Sequence, residues 1–559
     1  MSTTKKFRLR RNTILRDMIK HKAETVGDKI FMTYIRDFDN RIEEKYSYKD
    51  MHLMSNRLAN GLFNLGVKKG DGVALMEINS SEFFWALFAT FKMDVYSVLI
   101  NISLRGEGLR FTVDHSNASA IIIHWSFLDA ILNLKNQLPK IKYIIVDTNE
   151  ASKDFKLPQG TVSLQEIMRA NDDDIDVEIS LDDLSMLMYT AGTTGLPKAI
   201  TFYQGKLFGG LNLQGLNSLV NIFYQPDDVL FTSLPLFHSN ALFITSLPAY
   251  LGEIPLILGK RFSASRHWDI CRKYGVTVFN TLGAMVPILL KQAERPNDKD
   301  HKVRGIISAA CPKEFWVAFE ERFGVKIMEG YTATDGGGFS LGIFSREKEN
   351  PPVGTMGKPP AGMIARIMDD NGEILEKPEE VGELVFLVKE GEVKHRQVVY
   401  YKDEKASKNL IREGKDGQMW FHTGDMAYND KDDWFFFVDR KRDAIRRRGE
   451  NIASFSIEKI VNLHDKVLES AAYGVKSELG EDEVMVSVVL KPGEFMTPEE
   501  LLDFCQGKMA YFMIPRYVDF LERLPKSEVH RIMKRFLKDR GITETTYDRE
   551  KAGYEVKRD

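Results

Sequence analysis

The chain has 559 residues, 43% hydrophobic and 28% charged, a balance typical of globular proteins and long enough for more than one core. Its 77 lysines and arginines nearly cancel its 80 aspartates and glutamates, so charge gives no reason to expect nucleic acid as a partner. The three cysteines, Cys271, Cys311 and Cys505, are far apart and lack the spacing of a zinc site, which favours a reducing compartment over a disulfide framework.

The N-terminal segment, residues 1–16, is basic and has no acidic residue before Asp17. This composition suits a transit peptide or contact with a membrane surface, but the first helix is predicted to begin near Ile14, which leaves too short a chain for a usual presequence. The richest apolar run, FFWALFATF at residues 83–91, is too short to span a membrane and predicts a buried helix. We therefore expect a cytoplasmic protein without a transmembrane segment. Peripheral membrane contact and a homodimer stay open.

Helical patterns alternate with short β-rich runs between Thr13 and Leu181. The run at residues 51–66 has a helical pattern, whereas GVALMEI at residues 72–78 and YIIVD at residues 143–147 have the composition of strands. Alternation of this kind predicts βαβ units around a mostly parallel sheet, so α/β is the expected fold class.

The stretch YTAGTTGLPKA, at residues 189–199, has the composition of a phosphate-binding loop. Its glycines let the backbone turn tightly and aim N–H and O–H donors at one point, and a lysine after the rigid Pro197 adds a cation for a phosphate chain. The spacing is not that of a Walker A loop, which excludes a generic P-loop NTPase, and a plain surface turn would leave the threonines and the Pro-Lys pair unexplained. The expected phosphate-binding residues are Thr190, Ala191, Gly192, Thr193, Thr194, Gly195 and Lys198.

Three further segments follow this loop. SLPLFHSNAL, at residues 233–242, places Phe237 and His238 at the start of an apolar helix. Taken alone, that histidine is nearly as well explained as a capping residue packed at the helix start. The pattern over residues 259–290 predicts a helix, a strand and a second helix, in that order. RGIISAACP at residues 304–312 predicts a strand and a turn.

The segment MEGYTATDGGG, at residues 328–338, carries three candidate side chains. Tyr331 offers a flat face for an adenine, Thr334 a hydroxyl for a phosphate, and Asp335 a hard oxygen ligand for magnesium. A loop of turn-forming residues would account for the three glycines but not for Tyr331 and Thr334.

The last motifs are WFHTGD at residues 420–425 and the segment at residues 435–452. The carboxylate of Asp425 could accept two hydrogen bonds from a cis-diol such as ribose. The arginine run at residues 446–448 is open to two interpretations, contact with the phosphates of a ligand or a solvated charge cluster. Strand patterns such as residues 484–490 then predict a smaller α+β unit.

Together with LPKSEVHRIMK at residues 524–534, these segments resemble, in order and over nearly the whole chain, the signatures of the acyl-adenylate-forming superfamily. That superfamily includes acyl-CoA synthetases, luciferases and peptide-synthetase adenylation domains. The resemblance implies a large N-terminal domain of stacked, mostly parallel sheets with a small β-barrel-like subdomain, residues 1–439. It also implies a hinge at residues 440–442 and a smaller, mobile α+β domain at residues 443–559.

The resemblance further implies the ligands ATP, Mg²⁺ and coenzyme A, and a role for each candidate residue. Thr334 would join the loop that binds the phosphates, Asp335 would hold Mg²⁺, and Asp425 with Arg440 would bind the ribose. His238 would lie on the acyl and pantetheine side of the site. The residues expected beside the adenine are Ala310, Cys311, Gly330 and Tyr331. The residues expected along the pantetheine channel are Gly449, Glu450 and Asn451.

Several positions depart from the family's pattern. Arg531 stands where the family has a lysine that steadies the attacking carboxylate and the α-phosphate; it keeps the charge, but a misplaced donor can cost roughly two to three orders of magnitude in rate. Asp335 replaces a glutamate, so a water-bridged metal contact is an alternative to a direct one. Ala309 and Ala310 replace a glycine pair, and Arg442 stands at the hinge where an aspartate or lysine is usual.

The interpretation that follows is an ATP-dependent, AMP-forming acid–CoA ligase, which activates a carboxylic acid as an acyl-adenylate and transfers it to coenzyme A. The expected catalytic residues are Arg531, Thr334, His238 and Lys198. Residues 193–199, 261–269 and 447–453 resemble the fatty-acid transport and very-long-chain acyl-CoA synthetase group and the carnitine/crotonobetaine-CoA ligases, which implies a fatty or carnitine-like acid. Two alternatives stay open. One is a ligase that loads a carrier protein, and the other, motivated by Arg531 and Asp335, is a catalytically impaired acyl- or nucleotide-binding protein.

Overall fold

The computed structural model divides the chain by its contacts into two compact units. One comprises Met1–Met363 and Val388–Arg412, and the other Ile364–Leu387 and Glu413–Asp559. The structure describes residues 14–190, 197–204, 220, 222–283, 285–333, 335, 341–346, 350–388, 399–441, 445–447, 450–452, 454–476, 482–526 and 532–556, without the side chains of residues 446, 450 and 451.

The described residues of the first unit form two β-sheets. Their strands, in chain order, are β1 (Ile30–Asp37), β2 (Ile42–Ser47), β3 (Gly72–Met76), β4 (Tyr96–Leu99), β5 (Ala118–His124), β6 (Tyr143–Asp147), β7 (Val162–Ser163), β8 (Leu184–Thr190), β9 (Lys198–Tyr203), β10 (Leu230–Thr232), β11 (Leu256–Gly259), β12 (Val278–Leu282), β13 (Gly305–Ala309), β14 (Lys326–Thr332) and β15 (Gly342–Phe344). One sheet has the order β7-β6-β5-β3-β4-β8-β9 and is parallel except where β9 pairs with β8. The other has the order β15-β14-β13-β12-β10-β11-β1-β2 and is antiparallel only at its two edges. Every residue of β5 is buried, as is typical of parallel strands covered on both faces.

Helices cover the sheets of this unit. They are Leu15–Val26, Tyr48–Leu65, Ser81–Met93, Gly106–His115, Leu128–Leu132, Leu164–Ile167, Leu247–Gly252, His267–Tyr274, Met285–Leu290, Lys313–Phe323 and Glu404–Lys408, with a π-helix at Asn240–Ser246. Ser47 and Asp50 form a capping box at the start of the second helix, and Gly66 ends it in the left-handed conformation. The helix predicted from the apolar run is confirmed, because all of its residues are buried in a core that also holds Phe31 of β1 and Met186 of β8.

The remaining strands belong to the second unit, except for the first two residues of the strand at Ile411–Glu413. In chain order they are β16 (Ala365–Met368), β17 (Gly382–Leu387), β18 (Ile411–Glu413), β19 (Met419–Asn429), β20 (Phe435–Arg440), β21 (Ile445–Arg447), β22 (Glu450–Ile452), β23 (Val467–Lys476), β24 (Asp482–Leu490), β25 (Tyr517–Phe520) and β26 (Tyr547–Asp548). Strands β16, β17, β19 and β20 pair antiparallel in that order, and β23 to β26 form a second sheet. The helices here are Ser454–Val461, Pro498–Cys505 and Lys534–Arg540.

The predicted α/β fold is confirmed, with stacked and mostly parallel sheets, a small separate sheet and a smaller C-terminal part. The domain boundary stays a prediction: residues 442–444 lie outside the described residues, and the contact-defined second unit already includes β16 and β17. Across the described ranges, no helix combines the length and the apolar character needed to cross a membrane.

Candidate active site

Strands β8 and β9 form the hairpin that carries the predicted phosphate loop. They run antiparallel, and Thr190 at the end of β8 pairs with Lys198 at the start of β9. The strands therefore deliver both residues to the two ends of one loop. The predicted residues between them, Ala191, Gly192, Thr193, Thr194 and Gly195, lie outside the described residues.

Lys198 and Asp335, predicted as the phosphate cation and the metal ligand, are brought together by Tyr400. The ammonium nitrogen of Lys198 lies 4.5 Å from the centroid of the Tyr400 ring, within the range of a cation–π contact. The hydroxyl of Tyr400 donates a hydrogen bond of 2.5 Å to Oδ2 of Asp335. One aromatic side chain thus touches a cation on one face and orients a carboxylate with its edge.

The backbone around Tyr400 is fixed against β9. The amide of Thr201 donates to the carbonyl of Val399 at 2.9 Å, and the amide of Tyr401 donates to the carbonyl of Ala199 at 2.8 Å. Ser407 accepts a hydrogen bond of 2.9 Å from the amide of Tyr400. Sequence reasoning missed Tyr400, and nothing in the printed sequence separates it from the tyrosine that follows it.

The turn after β13, predicted to flank the adenine, is held by Glu329. The amides of Ala310 and Cys311 both donate to this carboxylate, the second at 3.1 Å. Ala310 has φ +66°, the left-handed conformation that favours glycine and costs an alanine about 1–2 kcal/mol. Burial raises the pKa of Glu329 to about 7, against the hydrogen bonds that favour its charged form. Sequence reasoning missed Glu329 too, because nothing in a strand pattern indicates that its glutamate accepts hydrogen bonds from the amides of a distant turn.

Gly330 and Tyr331 lie near the carboxyl end of β14, next to that turn in the parallel sheet. Ligands of open α/β sheets bind at the carboxyl ends of parallel strands, so both residues and the following Asp335 lie where a ligand is expected. A Cβ atom added at Gly330 would lie 3.1 Å from Cδ1 of Phe344, so β15 packs closely here. Thr334 lies outside the described residues.

His238 precedes the π-helix, and the Nε2 atom of its half-buried imidazole is hidden from solvent. Its Nε2 has no hydrogen-bond partner among the described residues, and the cap residue of the helix is Ser239, which makes no side-chain capping bond. Burial lowers the pKa of His238 to about 4, so the ring is neutral at pH 7. Nearby, Nδ2 of Asn280 in β12 donates to Oδ1 of Asn240, the first residue of the π-helix. Helical segments of this kind are frequent at functional sites.

Asp425 and Arg440 are directly opposite each other on β19 and β20 of the second unit. Nε of Arg440 lies 3.3 Å from Oδ1 of Asp425, whose side chain is 9% exposed. The predicted ribose ligands are therefore neighbours. Below them Glu383 accepts a hydrogen bond from the amide of Gly424 at 3.0 Å. Burial would raise the pKa of Glu383, but His422 and Lys441 beside it bring it down to about 2.

Arg447 belongs to neither of the two roles that the sequence leaves open for the arginine run. It is buried in the second unit, pairs with Glu483 at 2.7 Å and donates to the carbonyl of Phe512 at 2.7 Å. Glu450 and Asn451 form part of the hairpin β21–β22, and the structure does not describe their side chains. Gly449 and Arg531 lie outside the described residues.

Comparison with known proteins gives matches over almost the whole chain. The family model described as AMP-binding enzyme matches residues 19–388, and the model described as AMP-binding enzyme C-terminal domain matches residues 456–531. A crotonobetaine/carnitine–CoA ligase of Salmonella paratyphi B is 29% identical over 533 residues, which are 94% of this chain and 98% of that protein. The corresponding ligase of Salmonella typhimurium is 29% identical over 530 residues, with the same coverage.

Solved structures agree on the fold. The anthranilate CoA ligase AuaEII, in complex with anthranoyl-AMP, has a TM-score of 0.79 and 22% identity and covers 94% of this chain and 97% of its own. ATP-bound MatB from Rhodopseudomonas palustris has a TM-score of 0.78 and 22% identity, with coverage of 94% and 98%. The o-succinylbenzoate CoA synthetase MenE of Bacillus subtilis, with the acyl-adenylate OSB-AMP, has a TM-score of 0.76 and 24% identity, with coverage of 94% and 99%.

Proposed function

Because the chain belongs to the AMP-binding enzyme family, we propose that it is an AMP-forming acid–CoA ligase. A carboxylate oxygen of the acid attacks the α-phosphorus of ATP, the bond to the bridging oxygen breaks, and pyrophosphate leaves. The thiol of coenzyme A then attacks the acyl carbon of the acyl-adenylate and displaces AMP. The observation that carries the proposal is the cluster of Lys198, Tyr400 and Asp335, which joins the predicted phosphate cation to the predicted metal ligand.

Several side chains of this protein would contribute to the first step, the formation of the acyl-adenylate. Lys198 would neutralise charge on the phosphate chain, and the hairpin loop behind it would supply backbone donors. Tyr400 donates to Oδ2 of Asp335, and this bond would help to orient the carboxylate toward a hard cation. A single carboxylate together with substrate phosphates fits Mg²⁺, which prefers such mixed coordination and would neutralise phosphate charge when bound.

The remaining contacts would position the nucleotide and the acid. The turn at Ala310 and Cys311 with Tyr331 would hold the adenine, and Asp425 with Arg440 would hold the ribose. His238, neutral because burial lowers its pKa to about 4, would line the acyl side rather than act as an acid at pH 7. Positioning of this kind lowers the activation free energy because the reactants have already lost their translational and rotational freedom on binding.

We extend the proposal to a fatty or carnitine-like acid and to a cytoplasmic location. The acid class is supported by the names of the relatives, which are 29% identical over 94% of the chain. The location is supported by the three cysteines, all of them buried and free of disulfide bonds. A homodimer and peripheral membrane contact stay predictions.

The test measures release of AMP and pyrophosphate from ATP, Mg²⁺ and coenzyme A across carboxylic acids from short to long, with betaine-type acids included. Acid-dependent AMP together with an acyl-CoA product is expected. AMP only when a phosphopantetheinylated carrier replaces coenzyme A would favour the carrier-loading alternative. Nucleotide binding without AMP, with activity gained in Arg531→Lys, would instead identify a protein that binds but no longer adenylates.

A further inference from the structure

Asn280, on β12, keeps one buried polar atom without a partner. The side chain is 2% exposed, its Nδ2 donates to Asn240, and its Oδ1 accepts no hydrogen bond from any described residue. An unsatisfied buried acceptor costs about 1–3 kcal/mol, so folded proteins rarely keep one without a use. A ligand that donates a hydrogen bond would satisfy it.

The direction of this side chain follows from the alternation along β12. Val278 packs into the core shared by the two sheets, whereas Phe279 packs against Trp268 on the other face, with ring centroids 5.7 Å apart. Side chains two apart share a face, so Asn280 faces the same way as Val278, toward the π-helix. Thr281 shares the opposite face with Phe279.

The described residues of the π-helix that Asn280 faces carry no charge, and most of them are apolar. Ala241 and Leu242 of the π-helix are buried in the same core. His238, just before the helix, also has a buried nitrogen, Nε2, without a hydrogen-bond partner among the described residues. The acyl side of the proposed site therefore contains amide and imidazole groups, which can bond to a neutral polar substituent, and these residues supply no charge to pair with an ionised one.

We propose that the Asn280–Asn240 amide pair selects acids whose acyl part carries a hydroxyl group, which donates its hydrogen bond to Asn280. The inference rests on the proposed ligase function and adds the substrate class to it. A hydroxyl fits because it can both donate to Asn280 and accept from a neighbouring donor. A site built to bond a substrate hydroxyl discriminates strongly against the analogue that lacks it, because the buried protein atom is then left unpaired.

The experiment compares kcat/KM for acids that differ only in one hydroxyl: 3-hydroxybutyrate against butyrate, and carnitine against its deoxy analogue. In the wild type we expect the hydroxy acid of at least one pair to be preferred by about 10- to 100-fold, the range for one buried hydrogen bond. Asn280→Leu should bring that ratio close to one while the deoxy acid still reacts. Asn280→Ala serves the same purpose if the leucine variant does not fold.

The matched control is Thr281→Val, a nearly isosteric change on the opposite face of β12, which should keep the wild-type ratio. Equal kcat/KM for both members of each pair, or a preference that survives in the Asn280 variants, would overturn the inference and leave the ligase function standing. Failure of every acid to give AMP would overturn the proposed function and the inference with it.

Discussion

Replacing Tyr400 by phenylalanine removes one hydroxyl group and keeps the aromatic ring. The change deletes the 2.5 Å hydrogen bond to Asp335 but leaves the ring beneath the ammonium group of Lys198. Because the side chain is buried, 6% exposed, water does not readily replace the lost donor. The variant therefore isolates the orientation of the carboxylate from the other functions of the tyrosine.

The expected magnitude follows from the type of bond. A hydrogen bond to a charged group contributes about 1.5–3 kcal/mol, which corresponds to roughly 10- to 150-fold in a rate or binding constant. We expect Tyr400→Phe to lower kcat/KM for ATP by that factor and to raise the Mg²⁺ concentration needed for half-maximal rate. Tyr400→Leu also removes the cation–π contact, worth about 0.5–2 kcal/mol, and should lose a further 2- to 30-fold or so.

The assay is acid-dependent AMP formation, titrated separately with ATP and with Mg²⁺. The matched control is Tyr401→Phe, which removes the hydroxyl of the neighbouring tyrosine, the acceptor of an exposed hydrogen bond of 3.2 Å from Asn117. Its kcat/KM should stay within about twofold of wild type, as surface changes of this kind usually do. A Tyr400→Phe enzyme with unchanged ATP and Mg²⁺ dependence would refute the role assigned to the Tyr400–Asp335 bond.

Two further predictions concern stability. Glu77→Met should raise the free energy of unfolding by about 1–3 kcal/mol, because both carboxyl oxygens of Glu77 are buried without a hydrogen bond from any described residue. Burial raises the pKa of Glu77, so the wild type loses stability as pH rises; urea unfolding should show a larger gain at pH 9 than at pH 6, and no gain at either pH would contradict the reasoning. Arg447→Met should lower the free energy of unfolding by about 3–5 kcal/mol, since it leaves the Glu483 carboxylate buried without its cation. The double variant Arg447→Met/Glu483→Leu should recover most of that loss in the same urea titration, and a double variant as unstable as the single one would show that packing, not charge, is decisive.

The general architecture could be predicted because buried helices and strands have apolar residues at regular spacings in the sequence. The runs that become β5 and β6 are short, apolar and rich in β-branched residues, and they lie between helical patterns, as βαβ units require. The helix Ser81–Met93 could be predicted from the length of its apolar run alone. Such signals are local, so one sequence is sufficient to detect them.

The contacts that complete the site could not be predicted in this way. Tyr400 and Asp335 are 65 positions apart, and Ala310 and Glu329 are 19 positions apart. Each contact depends on which strands become neighbours, a property that no local pattern contains. The π-helix Asn240–Ser246 is a similar case, because its apolar composition equally suits an ordinary α-helix.

The departures from the family's pattern at Ala310 and Asp335 are each matched by a bonding partner in this chain. Ala310 adopts a conformation that costs it about 1–2 kcal/mol, and Glu329 holds the turn there by accepting hydrogen bonds from two consecutive amides. Asp335 has a shorter arm than a glutamate, and Tyr400 fixes the direction of its carboxylate. Strained or buried polar groups persist only where the surrounding structure supports them, so both arrangements argue for a maintained reaction centre rather than for a binding protein that has lost its chemistry.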